Sequence, residues 1–235
     1  MSLMGSSAFR GEHATFSPSS VSWINYSDEQ FIEALKNKHR SQIGTEIHEW
    51  AAIQITLGQR CTSVRDAVKS IKTMIFEKYF SEKYGLSDFG KTILTHMRYI
   101  PNDVYGTVKE YVNDSIAFFM VPEECEGVTD YSKDFYGTCD ALYFDSKKKE
   151  LRIFDLKTGS RPAKIEQVYI YAALYCLRNK VDPFDICFDL RIYQNGTITV
   201  AEASDEINAI VRDYMDRIIR FDKLTRKHYK EGGAL

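Results

Sequence analysis

The chain has 235 residues, 44% of them apolar, with 31 Lys and Arg against 33 Asp and Glu and a formal net charge of −2. That length and composition suit one globular domain with a substantial core, and the near-balance of charge means that any basic surface for nucleic acid is local. No apolar run reaches the ~18 residues that span a bilayer, and five cysteines, an odd number, without CxxC or Cys/His pairing argue against both a disulfide framework and a zinc site.

The start, "MSLMGSSAFRGEHATF", lacks the basic region and apolar core of a signal peptide, so a soluble, cytoplasmic protein is expected, its first residues reading as a vector scar. Internal repeats and low-complexity linkers are absent. The first predicted helix starts at Ser17 or Ser19, and a second runs from about Ile43 to Leu57 and ends at Gly58. In "SVRDAVKSIKTMIFEKYFSEKYG", Val64, Val68, Ile71, Ile75 and Tyr79 have the spacing of an amphipathic helix, closed by Gly85. "DVYGTVKEYVNDSIAFFM" predicts another helix. From Cys125 to Leu156 the texture turns β-branched and aromatic, which signals antiparallel strands around a turn at "DSKKKE". "PAKIEQVYIYAALYCLRNK" returns to helix, with Pro162 suited to a first turn. "ICFDLRIYQNGTITVAEA" predicts a hairpin on Asn195 and Gly196. A long helix from Ser204 to His228 carries Ile207, Ile210, Val211, Tyr214, Ile218 and Phe221 on one side.

The fold class is therefore α/β or α+β: a mixed sheet flanked by helices, with a mainly helical part to residue 120, a sheet core over 121–203 and a closing helix. Chemistry concentrates in "LRIFDLKTGS", residues 151–160. Side chains alternate along a strand, so Asp155 and Lys157 share the face of Leu151 and Ile153. A lone carboxylate buried there costs several kcal/mol, so the pair is either a satisfied ion pair or holds something between its charges.

With Ser146 to Lys149 as a four-residue loop, Asp145 faces Glu150 and Asp140 comes opposite Asp155, where Cβ atoms are ~5 Å apart. Leu142, Phe144, Leu151 and Ile153 complete that face, while Cys139, Ala141, Tyr143, Phe154 and Leu156 take the other. Two carboxylates side by side raise at least one pKa unless a cation lies between them, and a hard divalent ion suits such donors. Lys157 is then placed to orient or deprotonate a water, or to steady an anion. An isolated Asp-x-Lys is most often a plain strand-end ion pair, so the surroundings matter. Gly137 and Thr138 lie just ahead of Asp140, Gly159 just after Lys157, and Gln167 and Tyr171 follow at i, i+4 spacing on one helix face. Upstream, "GTEIHEW" puts His48 in a helix.

Taken in order, "GTEIH", "GTCDALYFD", "FDLKTG" and "QVYIY" resemble the successive motifs of the RecB-like branch of the PD-(D/E)xK nucleases, and are most similar to those of phage- and prophage-type exonucleases. "HATFSPSSVSWIN" also resembles the opening of a phage family in that branch, so the likeness covers about residues 13–178. The resemblance implies a restriction-endonuclease-like fold and a metal-dependent exonuclease acting on DNA, with Mg²⁺ or Mn²⁺ as cofactor and a phage recombination protein as a partner. It implies that His48, Asp140, Asp155 and the Leu156 carbonyl bind the metal, that Lys157 is the catalytic lysine, and that Gln167 and Tyr171 support the site and contact the DNA strand. Glu123 or Glu124 is a further candidate ligand. Relatives with an iron–sulfur cluster carry four cysteines for it; here "WINYSDE" has none, and beyond Tyr171 only Cys176 and Cys187 remain.

Each of these residues has a plainer reading: His48 as an ordinary helix histidine, Gln167 and Tyr171 as packing residues, Lys147 to Lys149 and the basic tail as solvated faces. The rival to a nuclease is a DNA-binding recombination factor that keeps the fold without turnover. A metal hydrolase acting on a small phosphoester is a third reading.

Overall fold

The structure is a computed structural model that describes residues 24–122 and 129–230. The helix starts at Ser17 and Ser19, the onset of the strands at Cys125, and the candidates Glu123 and Glu124 lie outside the described residues.

The two early helices expected on either side of residue 43 are one. Helix α1 (Asp28–Leu57) opens on a capping box in which the Ser27 hydroxyl accepts from the Gln30 backbone and the Gln30 side chain accepts from the Ser27 N–H; it ends at Gly58, as expected. No proline or glycine pair interrupts the residues between, and Ile43, Ile47, Trp50 and Ile55 bury its second half. Helix α2 (Val64–Tyr79) starts on the Ser63 cap and stops at Tyr79 rather than near Gly85. The chain turns there into a short hairpin, β1 (Phe80–Ser81) and β2 (Gly85–Leu86), in which Gly85 takes φ +70°. Helix α3 (Asp88–His96), which periodicity did not reveal, follows on the Ser87 cap, and α4 (Asn102–Ala117) matches the expected fourth helix to within a turn.

The strands are β3 (Val121–Pro122), β4 (Ala141–Asp145), β5 (Glu150–Lys157), β6 (Cys187–Gln194) and β7 (Thr197–Ala201), ordered β3-β4-β5-β6-β7 in one sheet. All neighbours are antiparallel except β5 and β6, which run parallel and are connected through α5 (Glu166–Asn179). Pro162 does not enter α5; it sits in the loop after β5, whose backbone is bonded by the Gln194 side chain, so the helix begins four residues later. Between β6 and β7, Asn195 (φ 48°) and Gly196 (φ 76°) form the expected two-residue turn with both residues left-handed. Helix α6 (Asp205–Lys230) buries Ile207, Val211, Met215 and Ile218, but Phe221 at the end of the expected stripe is 43% exposed.

The sheet separates two apolar clusters. On one side Ile43, Ile47 and Trp50 of α1, Ile71 and Ile75 of α2 and Val108 and Val112 of α4 pack on Ala141, Phe154, Leu156 and Tyr193. On the other, Val168, Ala172 and Cys176 of α5 with Ile207, Val211 and Ile218 of α6 pack on Leu142, Leu151, Ile153, Leu190 and Ile192. Fully burying one such side chain contributes about 1.5–3 kcal/mol, so the central strand β5, buried on both faces, is anchored from both sides. The face assignment fails at Cys139, which packs with Leu142 and Ile153: β4 begins only at Ala141, so strand alternation does not reach it. Arg152 is also buried, where its guanidinium donates to the Phe118 carbonyl, pairs with Glu150 and lies over the rings of Phe118 and Tyr143.

Candidate active site

The register decides where the two aspartates lie. Asp145 pairs with Glu150 and Ala141 with Phe154, as the four-residue loop predicts. One further step in the same register sets Asp140, which just precedes β4, opposite Asp155 near the end of β5. Asp140 is tied to that strand end directly, because the Leu156 N–H donates to Asp140 Oδ2 at 2.6 Å. Lys157, the last residue of β5, places Nζ 2.7 Å from Asp155 Oδ2. The contact is close, yet no donor is well aligned on that buried oxygen, so the pair is an ion pair rather than a directed hydrogen bond.

Helix α1 completes the group from outside the sheet. His48 Nδ1 lies 3.1 Å from Asp140 Oδ1, across 92 residues of chain. A helix can pass this near the end of β5 because Gly44 has no side chain: a Cβ there would come 2.7 Å from Thr158 Oγ1. A second close approach brings in α5. A Cβ on Gly137 would lie 2.9 Å from Cε1 of Tyr171, and the Tyr171 hydroxyl accepts from Gln167 Nε2 at 3.2 Å. The glycines of "GTEIH" and "YGTCD" thus let helices approach the site.

These groups are electrostatically coupled. Burial, and then the neighbouring Asp140 charge, push the Asp155 carboxyl up to about 6, against the opposing pull of Lys157 and His48. For His48, burial is the largest influence and disfavours the charged ring, but the hydrogen bond to Asp140, which accepts from the ring, and the charges of Asp140 and Asp155 together outweigh it and raise its pKa.

The donor set, two carboxylates and one imidazole with a strand-end backbone, suits a hard divalent cation, and the Asp155 oxygen without an aligned donor is the atom such an ion would satisfy. The side chains are nevertheless turned toward one another: His48 to Asp140, Lys157 to Asp155. Among the described residues, no three His, Cys, Asp or Glu side chains are grouped as a metal cage.

A groove of about 1490 Å³ opens over the group. His48, Lys157 and Gln167 line it, while Asp155, 2% exposed, sits behind them with Leu156, which is fully buried. One wall is α1; the opposite wall is the loop after β5, held by Gln194, whose Oε1 accepts from the Ala163 N–H at 2.7 Å and whose Nε2 donates to the carbonyls of Gly159 (2.8 Å) and Arg161 (2.7 Å). The α1 turn that carries His48 is fixed from behind. Buried Glu46 accepts from the Tyr79 hydroxyl at 2.6 Å and from Lys78 at 3.1 Å, and Lys78 also pairs with Glu49 on the groove. Burial and that bond to Glu46 push the Tyr79 hydroxyl up to about 12.

Among the described residues, His48, Asp140, Asp155, Leu156, Lys157, Gln167 and Tyr171 lie in or beside this region, Glu123 and Glu124 fall outside the described residues, and Gln194, Glu46, Tyr99 and Arg40 join it without a sequence signal. No described helix is long and apolar enough to cross a membrane. Comparison of the chain with protein-family models, with curated proteins and with solved structures gave no match.

Proposed function

We propose that the protein is a Mg²⁺- or Mn²⁺-dependent deoxyribonuclease of the PD-(D/E)xK type, with a restriction-endonuclease-like sheet, acting as an exonuclease in phage-type DNA recombination or processing. The observation that carries this reading is the His48–Asp140 contact: a histidine 92 residues upstream meets the aspartate of the hairpin, beside the Asp155–Lys157 pair. The hairpin register brings Asp140, Asp155 and Lys157 together, and His48 joins them from a separate helix, in keeping with the order of the motifs.

Asp140, Asp155, His48 and the Leu156 carbonyl would hold the ion, which supplies charge to polarise the scissile phosphate. The residues facing the groove do the rest. Lys157 leaves Asp155 to steady the charge that grows on the phosphate oxygens or to orient the attacking water, as a charged group preorganised at a reacting centre does. Gln167 and Tyr171 fix the strand beside it.

The mutual pairing of His48 with Asp140 and Lys157 with Asp155 favours one second reading, a DNA-binding recombination factor that retains the fold with little turnover. End-labelled linear and closed circular DNA, incubated with Mg²⁺ and with Mn²⁺, separates the two. Metal-dependent loss of label from the linear form, with the circle intact, is expected; binding without cleavage under either ion overturns the nuclease reading.

A further inference from the structure

We propose that the groove receives a single unpaired DNA strand, its bases resting on Tyr99 and on the apolar last turns of α1 at Ile53 and Leu57, its phosphates meeting Arg40, Lys157 and Arg161. The proposal rests on the nuclease reading for its position over the cleavage centre.

Size points to a polymer. The groove, about 1490 Å³, exceeds the ~300–1,000 Å³ of small-ligand sites. Helix α1 lines it from Asn37 to Leu57, which at the helical rise is ~30 Å, with His48 near the middle.

The walls point to bases. Tyr99 is 48% exposed, Ile53 39% and Leu57 60%, and all three line the groove. Side chains of this kind gain nothing from the sugar–phosphate exterior of a duplex, whereas unpaired bases offer flat apolar faces that stack on them. Tyr99 is set for this role: the Arg98 guanidinium lies 4.8 Å from its ring centre and donates to its hydroxyl at 2.7 Å. The His96 ring stands 5.7 Å from Tyr99 and 4.1 Å from His39, the neighbour of Arg40. Tyr99 and Arg40 both line the groove, and Arg40 is ~12 Å along α1 from His48.

The charge points the same way. Among the described residues, the Lys and Arg side chains of the groove lining are Arg40, Lys157 and Arg161, and Glu49 opposes them while paired with Lys78. A duplex presents one charge per ~1.7 Å and is held by many cations; three suit a short stretch of one strand. Arg40 spends its charge on Glu33 at 3.1 Å, an exposed pair that a phosphate can replace at little cost.

The test is equilibrium binding in EDTA, where cleavage plays no part, with a fluorescent 12-nucleotide oligothymidylate and a blunt 12-base-pair duplex as probes. The strand is expected to bind at least tenfold tighter than the duplex. Its affinity should fall with salt at a log–log slope of magnitude about 2, the value for three phosphates on a single strand. Tyr99→Ala and, separately, Leu57→Gln are each expected to weaken strand binding about tenfold, the size of one lost stack, with duplex binding unchanged; Tyr99→Phe should bind as wild type. Equal or tighter duplex binding overturns the proposal, as does wild-type strand affinity in both weakened variants. Should Tyr99→Ala fail to fold, Leu57→Gln and the unmodified protein's comparison of strand with duplex decide. Strand binding of this pattern without Mg²⁺- or Mn²⁺-dependent cleavage leaves the groove assignment standing and removes the nuclease; cleavage of DNA by a protein that prefers duplex does the reverse.

Discussion

Lys157 Nζ lies 2.7 Å from Asp155 Oδ2, yet the two differ sharply in exposure: the lysine side chain reaches the groove, 29% exposed, while the aspartate is 2% exposed. A pair built only to hold the fold has no need for one member to face a cleft. Lys157→Met separates the roles. We expect the variant to stay folded and to bind Mn²⁺ and DNA, and to lose on the order of 10²-fold or more in cleavage rate, as loss of a positioned charge-stabilising or proton-transfer group does. Wild-type cleavage by a folded, metal-binding Lys157→Met protein would falsify the catalytic role.

The raised Asp155 carboxyl has a consequence for stability. Its pKa is about 6 in the folded state against an ordinary 3.8, so the folded protein holds that proton more tightly than the unfolded chain. The contribution is most favourable at and below pH 3.8 and is lost as pH rises through 6; at pH 7 the carboxylate costs about 3 kcal/mol, from two pKa units at 1.36 kcal/mol each. Asp155→Asn should therefore melt higher than wild type at pH 7 without divalent ions, by about 1–3 kcal/mol, and the advantage should shrink toward pH 4. Calorimetric melts across that range check it; a lower melting point at pH 7 contradicts the electrostatic account.

Divalent ions should raise the melting temperature, because they bind the folded arrangement of Asp140, Asp155 and His48 and not the unfolded chain. At 100 times the dissociation constant the gain is about 2.7 kcal/mol. Asp140→Asn removes one of the converging carboxylates, and its melt in Mn²⁺ should match its melt in EDTA. A shift as large as in the wild type places the ion elsewhere.

Gly44 offers a test of how α1 reaches the strand end. Alanine at a helix interior ordinarily stabilises by roughly 0.5–1 kcal/mol over glycine, but here its Cβ would come 2.7 Å from Thr158 Oγ1. We expect Gly44→Ala to destabilise wild type, and to stabilise the Thr158→Ala background. Denaturant midpoints of the four proteins give the coupling; the same sign in both backgrounds excludes the close approach as its cause.

Much of the hairpin was legible. The pairing of Asp145 with Glu150, and with it the step that sets Asp140 against Asp155, follows from a period of two and a four-residue loop, both local properties of the backbone. The Asn195–Gly196 turn, the end of α1 at Gly58 and the buried stripe of α6 as far as Ile218 are equally short-range, and each appears where its residues call for it. Helix α3 was missed because nine residues give little more than two turns of periodicity, and the break expected before Ile43 was wrong because capping residues upstream do not force a helix to stop.

Tertiary structure alone decided what surrounds the aspartates. His48 meets Asp140 because α1 crosses the end of β5 at a glycine, Glu46 is buried because α2 ends against α1 with Lys78 and Tyr79, and Gln194 becomes the clamp of the β5–α5 loop because β6 runs parallel beside β5. These contacts join residues about 30 to 90 positions apart through single side chains. Local periodicity reports which face of an element is apolar; it carries no record of which distant element that face will meet, since that choice is made by the packing of the whole core.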